Sequence, residues 1–423
     1  MFQKWFHHFY RQAVLARLRA WRVGRLTIVD GSEVFHFGDS NESGSATLRV
    51  HAPGFYQRVA CGGGLGAAEA FMDGDWSCDD LVGLIRLCIQ NPAVATGLDG
   101  GVARWSQWVA LWKHWLRRNN RANSQRNIHE HYDLGNEFFQ LFLDETLNYS
   151  CGVFRDRNSE MLDASLEKMD SVCRKLDLRS DDEVLEIGTG WGALAAHIAQ
   201  RYGCQVRTTT ISREQASFAR ERMREQGMES LVTVDLKDYR DLEGTYDKLV
   251  SIEMIEAVGR QYLDGYFERC SRLLRPDGLM VLQGIVMRDQ VAARHAAGVD
   301  FIGKYIFPGG FLPSVAEIGD SLARVTDLRV CDLEEMSPHY VRTLRAWRER
   351  FWDNIEDVRR LGFDNRFIRM WDYYLQYCEA AFAERQVNVV QLVLAKPRYQ
   401  LPDDDACKTI RAGSSRRREE SVR

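Results

Sequence analysis

An apolar run that stops in three alternating glycines, Val184-Leu-Glu-Ile-Gly188-Thr-Gly190-Trp-Gly192, constrains this chain more than any other stretch. Such a run reads as a buried strand, and glycines at its end let the backbone turn sharply and approach a ligand. The spacing of Leu194, Ile198 and Tyr202 then starts a helix, whose first N–H groups are free to meet an anion or a polar group. The pattern is G-x-G-x-G, which differs from the G-x-G-x-x-G of dinucleotide-binding turns. Strand-like runs precede or follow it at residues 183–187, 205–210, 231–235, 248–252, 279–285 and 389–395, with helical patterns between the early ones. Strands that alternate with helices build a doubly wound α/β sheet. From about Asn127 onward the chain is expected to form such a unit.

The preceding part has another character. Residues 1–22 set Phe2, Trp5, Phe6 and Phe9 at helical spacing among Lys4, Arg11, Arg17, Arg19 and Arg22, the pattern of an amphipathic helix. Two short strands, 25–29 and 47–50, stand either side of a Gly/Ser-rich stretch at 38–45. The glycine run 62–66 reads as the opening of a helix over 67–72, and 79–89 as a second amphipathic helix. Trp105, Trp108, Trp112 and Trp115 form an aromatic stripe followed by Arg117, Arg118 and Arg121. That stripe suits a helix packed at a domain interface, or one lying on a membrane surface. The 423 residues therefore divide into a small α+β domain over 1–120, an α/β domain over 121–400 and a disordered tail over 401–423.

Composition removes several classes. A net charge of −4 disfavours nucleic acid as a partner. Ten cysteines without a C-x-x-C pair argue against a zinc site or a disulfide framework, and suit a reducing cytoplasm. No apolar run reaches the roughly 18 residues of a membrane span, so contact with a membrane is expected to be peripheral. His129 and His131 lack a matching carboxylate cluster, and no metal site is expected.

Three features join the glycine loop. Glu186 sits two residues before Gly188, where strand geometry can aim a carboxylate at a ligand. The second strand closes in Thr210-Ile-Ser-Arg-Glu-Gln215, polar groups suited to a ribose, where a nicotinamide enzyme would carry an acidic residue. Leu273-Leu-Arg-Pro276-Asp-Gly278 precedes a strong strand and resembles the turn before the fifth strand of class I methyltransferases. The resemblance implies their Rossmann-like fold, a seven-stranded α/β sheet, and S-adenosylmethionine as methyl donor.

A longer ordered set of motifs is present. Asn127-Ile-His-Glu-His131-Tyr-Asp-Leu-Gly-Asn-Glu-Phe-Phe139 is followed by Leu147-Asn-Tyr-Ser-Cys151 and the glycine loop. Then come Ser251-Ile-Glu-Met-Ile-Glu256-Ala-Val-Gly259, Lys304-Tyr-Ile-Phe-Pro-Gly-Gly-Phe-Leu-Pro313 and Ser337-Pro-His-Tyr340. This set resembles the cyclopropane-fatty-acyl-phospholipid synthases and mycolic acid cyclopropane synthases over roughly residues 127–395. Glu69-Ala-Phe-Met-Asp-Gly-Asp-Trp76 resembles the small N-terminal domain of the phospholipid-acting members. The resemblance implies transfer of a methyl group to the double bond of an unsaturated phospholipid acyl chain at the inner membrane surface, and a homodimer. A carbocation forms, and a bound bicarbonate takes the proton whose loss closes a cyclopropane ring. Such a cation calls for a water-poor site and an aromatic or negative wall.

Carried over by position, Cys151, Glu256 and Tyr340 match bicarbonate-site residues, with Ile285 supplying backbone. Tyr149, Ser150, Gly188, Gly190, Gly192, Thr210, Gln215, Lys237 and Asp238 match cofactor contacts. Cys378 matches a cysteine proposed for the active site, although direct transfer from sulfur to carbon needs no nucleophile. Of the neighbouring Glu253 and Glu256, the motif favours Glu256, leaving Glu253 as a solvated or helix-capping carboxylate. Two positions depart from the family. Gln283 stands where the family has histidine, and Ala257 breaks Glu-His-Val-Gly. Glutamine can hydrogen-bond an anion but cannot carry a proton. Loss of the proton from the chain instead of the new methyl would give a methylene- or methyl-branched lipid. A methyltransferase of small molecules and a non-catalytic lipid binder are the alternatives. The anion-site residues speak against the first and the intact glycine loop against the second.

Overall fold

The computed structural model describes residues 2–39, 44–94, 134–295 and 300–400. The tryptophan stripe, the arginines after it, His129, His131, the 120/121 boundary and the tail from 401 lie outside the described residues.

The first unit is a four-stranded sheet with helices. Helix α1 (Phe2–Leu18) is followed by strands β1 (Arg25–Asp30), β2 (Glu33–Phe37) and β3 (Ser45–Val50). Helix α2 (Gly54–Met72), strand β4 (Trp76–Cys78) and helix α3 (Leu81–Gln90) complete it, and the strand order is β2-β1-β3-β4. Two expectations need correction. Strand β2 lies between β1 and the Gly/Ser stretch, and its weak burial as an edge strand left little apolar alternation to read. The glycine run does not open a helix. It lies within α2, which kinks at Gly63 with φ +56°. Beyond the kink the chain turns back so closely that a Cβ on Gly66 would lie 2.0 Å from the Arg58 carbonyl oxygen, which only glycine allows.

The second unit is the seven-stranded sheet. Its strands are β5 (Glu183–Ile187), β6 (Gln205–Thr210), β7 (Val232–Leu236), β8 (Tyr246–Ile252), β9 (Leu274–Met287), β10 (Arg329–Glu335) and β11 (Val387–Ala395). The spatial order is β10-β11-β9-β8-β5-β6-β7. Pairings among β5 to β9 are parallel, and β11 runs antiparallel to both β9 and β10. This is the class I methyltransferase arrangement expected from the sequence. Strand β10 was not foreseen, because an almost wholly exposed edge strand needs no apolar residues. The turn expected at Pro276-Asp-Gly278 is carried inside β9 as an irregularity, with the register shifting between Tyr246 and Lys248. Strand order reverses at the centre, where β5 lies between β6 and β8. In open α/β sheets the crevice outside such a switch point is where ligands bind.

Contacts join the two units. Glu69 on α2 accepts from Tyr305 (2.8 Å) and pairs with Lys304, both on the π-helical turn Ile302–Ile306. Arg366 pairs with Asp73, and Arg369 donates to the Trp76 carbonyl, both from the helix Asn365–Ala383.

Candidate active site

The glycine loop follows β5. Gly188, Gly190 and Gly192 have φ of +106°, +52° and +85°, a region that L side chains avoid. The N–H groups of Gly188 and Thr189 both donate to the Thr209 carbonyl at 3.0 Å, which ties the loop to β6. A Cβ on Gly190 would enter open space, whereas one on Gly192 would press on Ala219 at 3.0 Å. The loop thus offers bare backbone on one side and tight helix packing on the other. The helix Ala193–Tyr202 begins at Gly192.

Glu186 is buried beneath this loop. Its Oε2 accepts from Thr208 Oγ1, which in turn accepts from the Thr189 hydroxyl at 2.8 Å, so the carboxyl braces the loop from below. Burial lifts its pKa to about 7, against the pull of Thr208 and Lys168. Thr210 Oγ1 donates to Gln215 Oε1 at 2.8 Å, and the Ser212 cap on helix Arg213–Glu225 holds the Gln215 N–H. These two polar side chains stand together at the end of β6. Asp238 is turned instead toward Arg240, which it grips with both carboxylate oxygens, and Lys237 is exposed while its backbone bonds Thr209 and Thr210.

A second cluster lies at the end of β8, and its centre is Glu253. Oε1 accepts from the Cys151 N–H at 2.9 Å and from Gln283 Nε2 at 2.8 Å, and Oε2 accepts from the Tyr340 hydroxyl at 2.7 Å. The residue holds φ at +50°, a strained value for a side-chain-bearing residue. Burial raises its pKa, and the three donors together with Lys168 oppose that rise. Glu253 is neither solvated nor a helix cap, contrary to the expectation from sequence. The signal that could have found it is a carboxylate just past the carboxyl end of a parallel strand.

Glu256 stands beside it on the turn Ile255–Ala257, where Oε1 accepts from the Ile285 N–H. Its Oε2 is buried with no hydrogen-bond partner among the described residues. Burial, then the neighbouring Glu253, lifts its pKa to about 8. A buried cation balances this acidic ground. Lys168, on the face of helix Met161–Lys175 that also carries Ala164, Ser165 and Val172, donates to Asn148 at 3.1 Å and feels Glu253, Asp144 and Glu186. Burial lowers its pKa. The sequence reading missed Lys168, whose signal is a lysine on an otherwise apolar helical stripe.

Aromatic rings wall the region. Tyr149 packs on Phe139 (centroids 5.4 Å) and Trp347 (5.2 Å), and its hydroxyl meets that of Tyr374 at 2.8 Å. Tyr340 packs on Phe382 at 4.4 Å. Phe307 meets Tyr374 at 6.2 Å, whereas the Tyr305 hydroxyl turns to Glu69. Ser150 and Cys151 are buried, and burial followed by Glu253 holds the Cys151 thiol far above its usual pKa. The structure therefore brings Cys151, Gln283 and Tyr340 onto Glu253, and Glu256 onto Ile285. Cys378 lies outside both contact sets, on helix Asn365–Ala383, with a thiol pushed far up by burial and Asp300.

Residues 119–392 match the family model described as mycolic acid cyclopropane synthetase. The chain belongs to this family. As a family member it is an S-adenosylmethionine-dependent methyltransferase. It is 38% identical over 386 residues to tuberculostearic acid methyltransferase UfaA1 of Mycobacterium tuberculosis, covering 85% of this chain and 87% of the relative. It is 36% identical over 368 residues to cyclopropane-fatty-acyl-phospholipid synthase of Escherichia coli, covering 84% and 89%. Among solved structures, mycolic acid cyclopropane synthase CmaA1 complexed with SAH and CTAB aligns with a TM-score of 0.61 at 28% identity, over 64% of this chain and 98% of that one.

Proposed function

We propose that this family member transfers the methyl group of S-adenosylmethionine to the double bond of an unsaturated phospholipid acyl chain, and that proton loss then closes a cyclopropane ring. The observation that carries this reading is the juxtaposition, across the β5/β8 switch point, of a bare glycine loop and an aromatic-walled carboxylate cluster. The methyl donor fits the loop: a side chain at Gly190 would fill the open cradle, and the N-terminus of helix Ala193–Tyr202 faces it. Gly188, Gly190, Gly192, Thr210, Gln215, Tyr149 and Ser150 would hold the donor, with Glu186 bracing the loop and the Lys237–Asp238 turn at its rim. When bound, the donor supplies an electrophilic methyl on a sulfonium. The rings of Tyr149, Tyr340 and Trp347 exclude water and face positive charge with their π electrons.

Bicarbonate fits less well. The Cys151 N–H, the Tyr340 hydroxyl and the Gln283 amide are already bonded to Glu253, and the Ile285 N–H to Glu256. A second anion would meet a carboxylate there.

A methylene- or methyl-branched product is the second reading. It is favoured by Gln283 in place of the family histidine and by the 38% identity to a protein named a methyltransferase. Membrane docking through α1 is part of the proposal, supported by the exposure of Phe6 (47%) and Phe9 (56%). So is the homodimer implied by the resemblance, to be read by light scattering. Among the described residues no helix is long and apolar enough to cross a membrane. The test is purified protein with monounsaturated liposomes and methyl-labelled donor. Labelled phospholipid is expected, with proton NMR separating ring protons from vinylidene protons. Unlabelled lipid refutes the proposal.

A further inference from the structure

The Glu253 carboxylate receives hydrogen bonds from three sides, one of them from the Tyr340 hydroxyl, and the direction of the other two is fixed by their donors. The Cys151 N–H can only donate. The Gln283 amide could in principle turn either face to Glu253, but a chain of contacts behind it removes the choice. Gln283 Oε1 accepts from Gln391 Nε2 at 2.9 Å, and Gln391 Oε1 accepts from Lys175 Nζ at 2.5 Å. An ammonium only donates, so Gln391 must present its NH2 inward, and Gln283 must do the same. Both glutamines are fully buried, at 0% exposure, on the paired strands β9 and β11. Lys175 is held at the outer end by Glu334 at 2.6 Å. Polarity therefore runs one way, from Lys175 through Gln391 and Gln283 to Glu253. Two donors that cannot accept, with the Tyr340 hydroxyl as a third, favour the ionised, acceptor-only form of Glu253 against the burial that raises its pKa. A carboxylate has about four acceptor positions. Three are taken, which leaves one on Oε2 for a proton.

We propose that Glu253 is the catalytic base of this enzyme, standing in place of a bound bicarbonate, and that Lys175, Gln391 and Gln283 are positioning residues that keep it ionised. The inference rests on the lipid-methylation reading above. The alkene π pair forms the bond to the methyl carbon as the sulfur–methyl bond breaks, which leaves a neutral thioether and a cation on the lipid. Glu253 then takes a proton. The electron pair of the broken C–H bond closes the ring or forms a new double bond, and the protonated Glu253 gives its proton to solvent before the next turnover. The charged and titratable groups facing Glu253 are Lys168 from helix Met161–Lys175, Cys151, Tyr340 from helix Ser337–Asp353, and Glu256 on the adjoining turn. Lys168 offsets its negative charge.

The experiment follows lipid labelling by the full-length protein in carbon-dioxide-free buffer, with and without added bicarbonate. The wild type is expected to turn over equally in both. Glu253→Gln should lose about a hundred- to ten-thousand-fold in turnover while binding S-adenosylmethionine normally. Glu253→Gly relieves the positive φ, so the fold is kept, and its activity should return when bicarbonate is added. Gln391→Leu and Lys175→Met free the Gln283 amide to turn, so the acid limb of their pH–rate profiles should move to higher pH, and Lys175→Arg should restore it. A wild type that labels lipid only with bicarbonate overturns the inference and leaves the lipid reading standing, as does an active Glu253→Gln. A wild type that labels no lipid under either condition overturns the lipid reading itself. Unmoved pH profiles in the Lys175 and Gln391 variants overturn the positioning chain.

Discussion

Glu256→Gln isolates the electrostatics of the candidate site. Glu256 keeps one oxygen on the Ile285 N–H and the other buried without a partner, next to Glu253. Its carboxyl is lifted from the usual 4.5 to about 8, first by burial and then by the Glu253 charge. Such a group favours the folded state fully below about 4.5, and that advantage is lost as pH rises through about 8. Across that window the folded chain holds a proton that the unfolded chain has released. Stability therefore falls by roughly 1.4 kcal/mol per pH unit, on the order of 4 kcal/mol between about pH 5 and about pH 8 if no water enters. Glutamine has nearly the same shape and no charge, so the variant should match the wild type near pH 5 and exceed it increasingly toward pH 8. Urea unfolding of both proteins at several pH values reads the difference directly. A difference that stays flat across the window refutes a protonated Glu256. A difference that falls with rising pH refutes the sign of the argument.

Three other outcomes follow from the geometry. Gly192→Ala forces a Cβ to 3.0 Å from Ala219 at φ +85°, and should cost about 1–3 kcal/mol of stability and weaken S-adenosylmethionine binding. Thermal melting and calorimetric titration check this, and unchanged affinity would remove the loop from the cofactor site. Cys378→Ala should leave lipid labelling near the wild-type rate, because a buried thiol with a strongly raised pKa is a poor nucleophile. A loss of about tenfold or more, with melting unchanged, would restore a role for that cysteine. Phe6→Ser with Phe9→Ser should lower co-sedimentation with liposomes by roughly tenfold or more while activity on detergent-dispersed lipid persists. Equal sedimentation would show that α1 does not carry the membrane contact.

The fold of the second unit was legible because its central strands β5, β8, β9 and β11 are buried along most of their length. Runs such as Glu183–Ile187 and Gln205–Thr210 stand in the sequence with their observed bounds. Edge strands escaped, since β2 and β10 bury too little to leave an apolar signature. The kink of α2 escaped because a helix can run through a glycine run when the chain doubles back, as Gly66 does against Arg58.

The sequence by itself determined the methyl-donor loop, since glycine spacing at a strand end is a local property of the backbone, and the motifs that carry the family were equally local. What only the tertiary structure decided is which carboxylate faces the donors. Glu253 and Glu256 lie three residues apart, and either could have been the functional one. Their difference comes from groups far away in the chain: Cys151, Gln283 and Tyr340 converge on Glu253, while Glu256 receives the Ile285 N–H and keeps one oxygen buried without a partner. The direction of the Gln283 amide is set by Lys175, at the end of helix Met161–Lys175, through Gln391 on the neighbouring strand. Hydrogen-bond polarity of that kind passes through side chains that meet only when the sheet has formed, and no spacing rule along the chain encodes it.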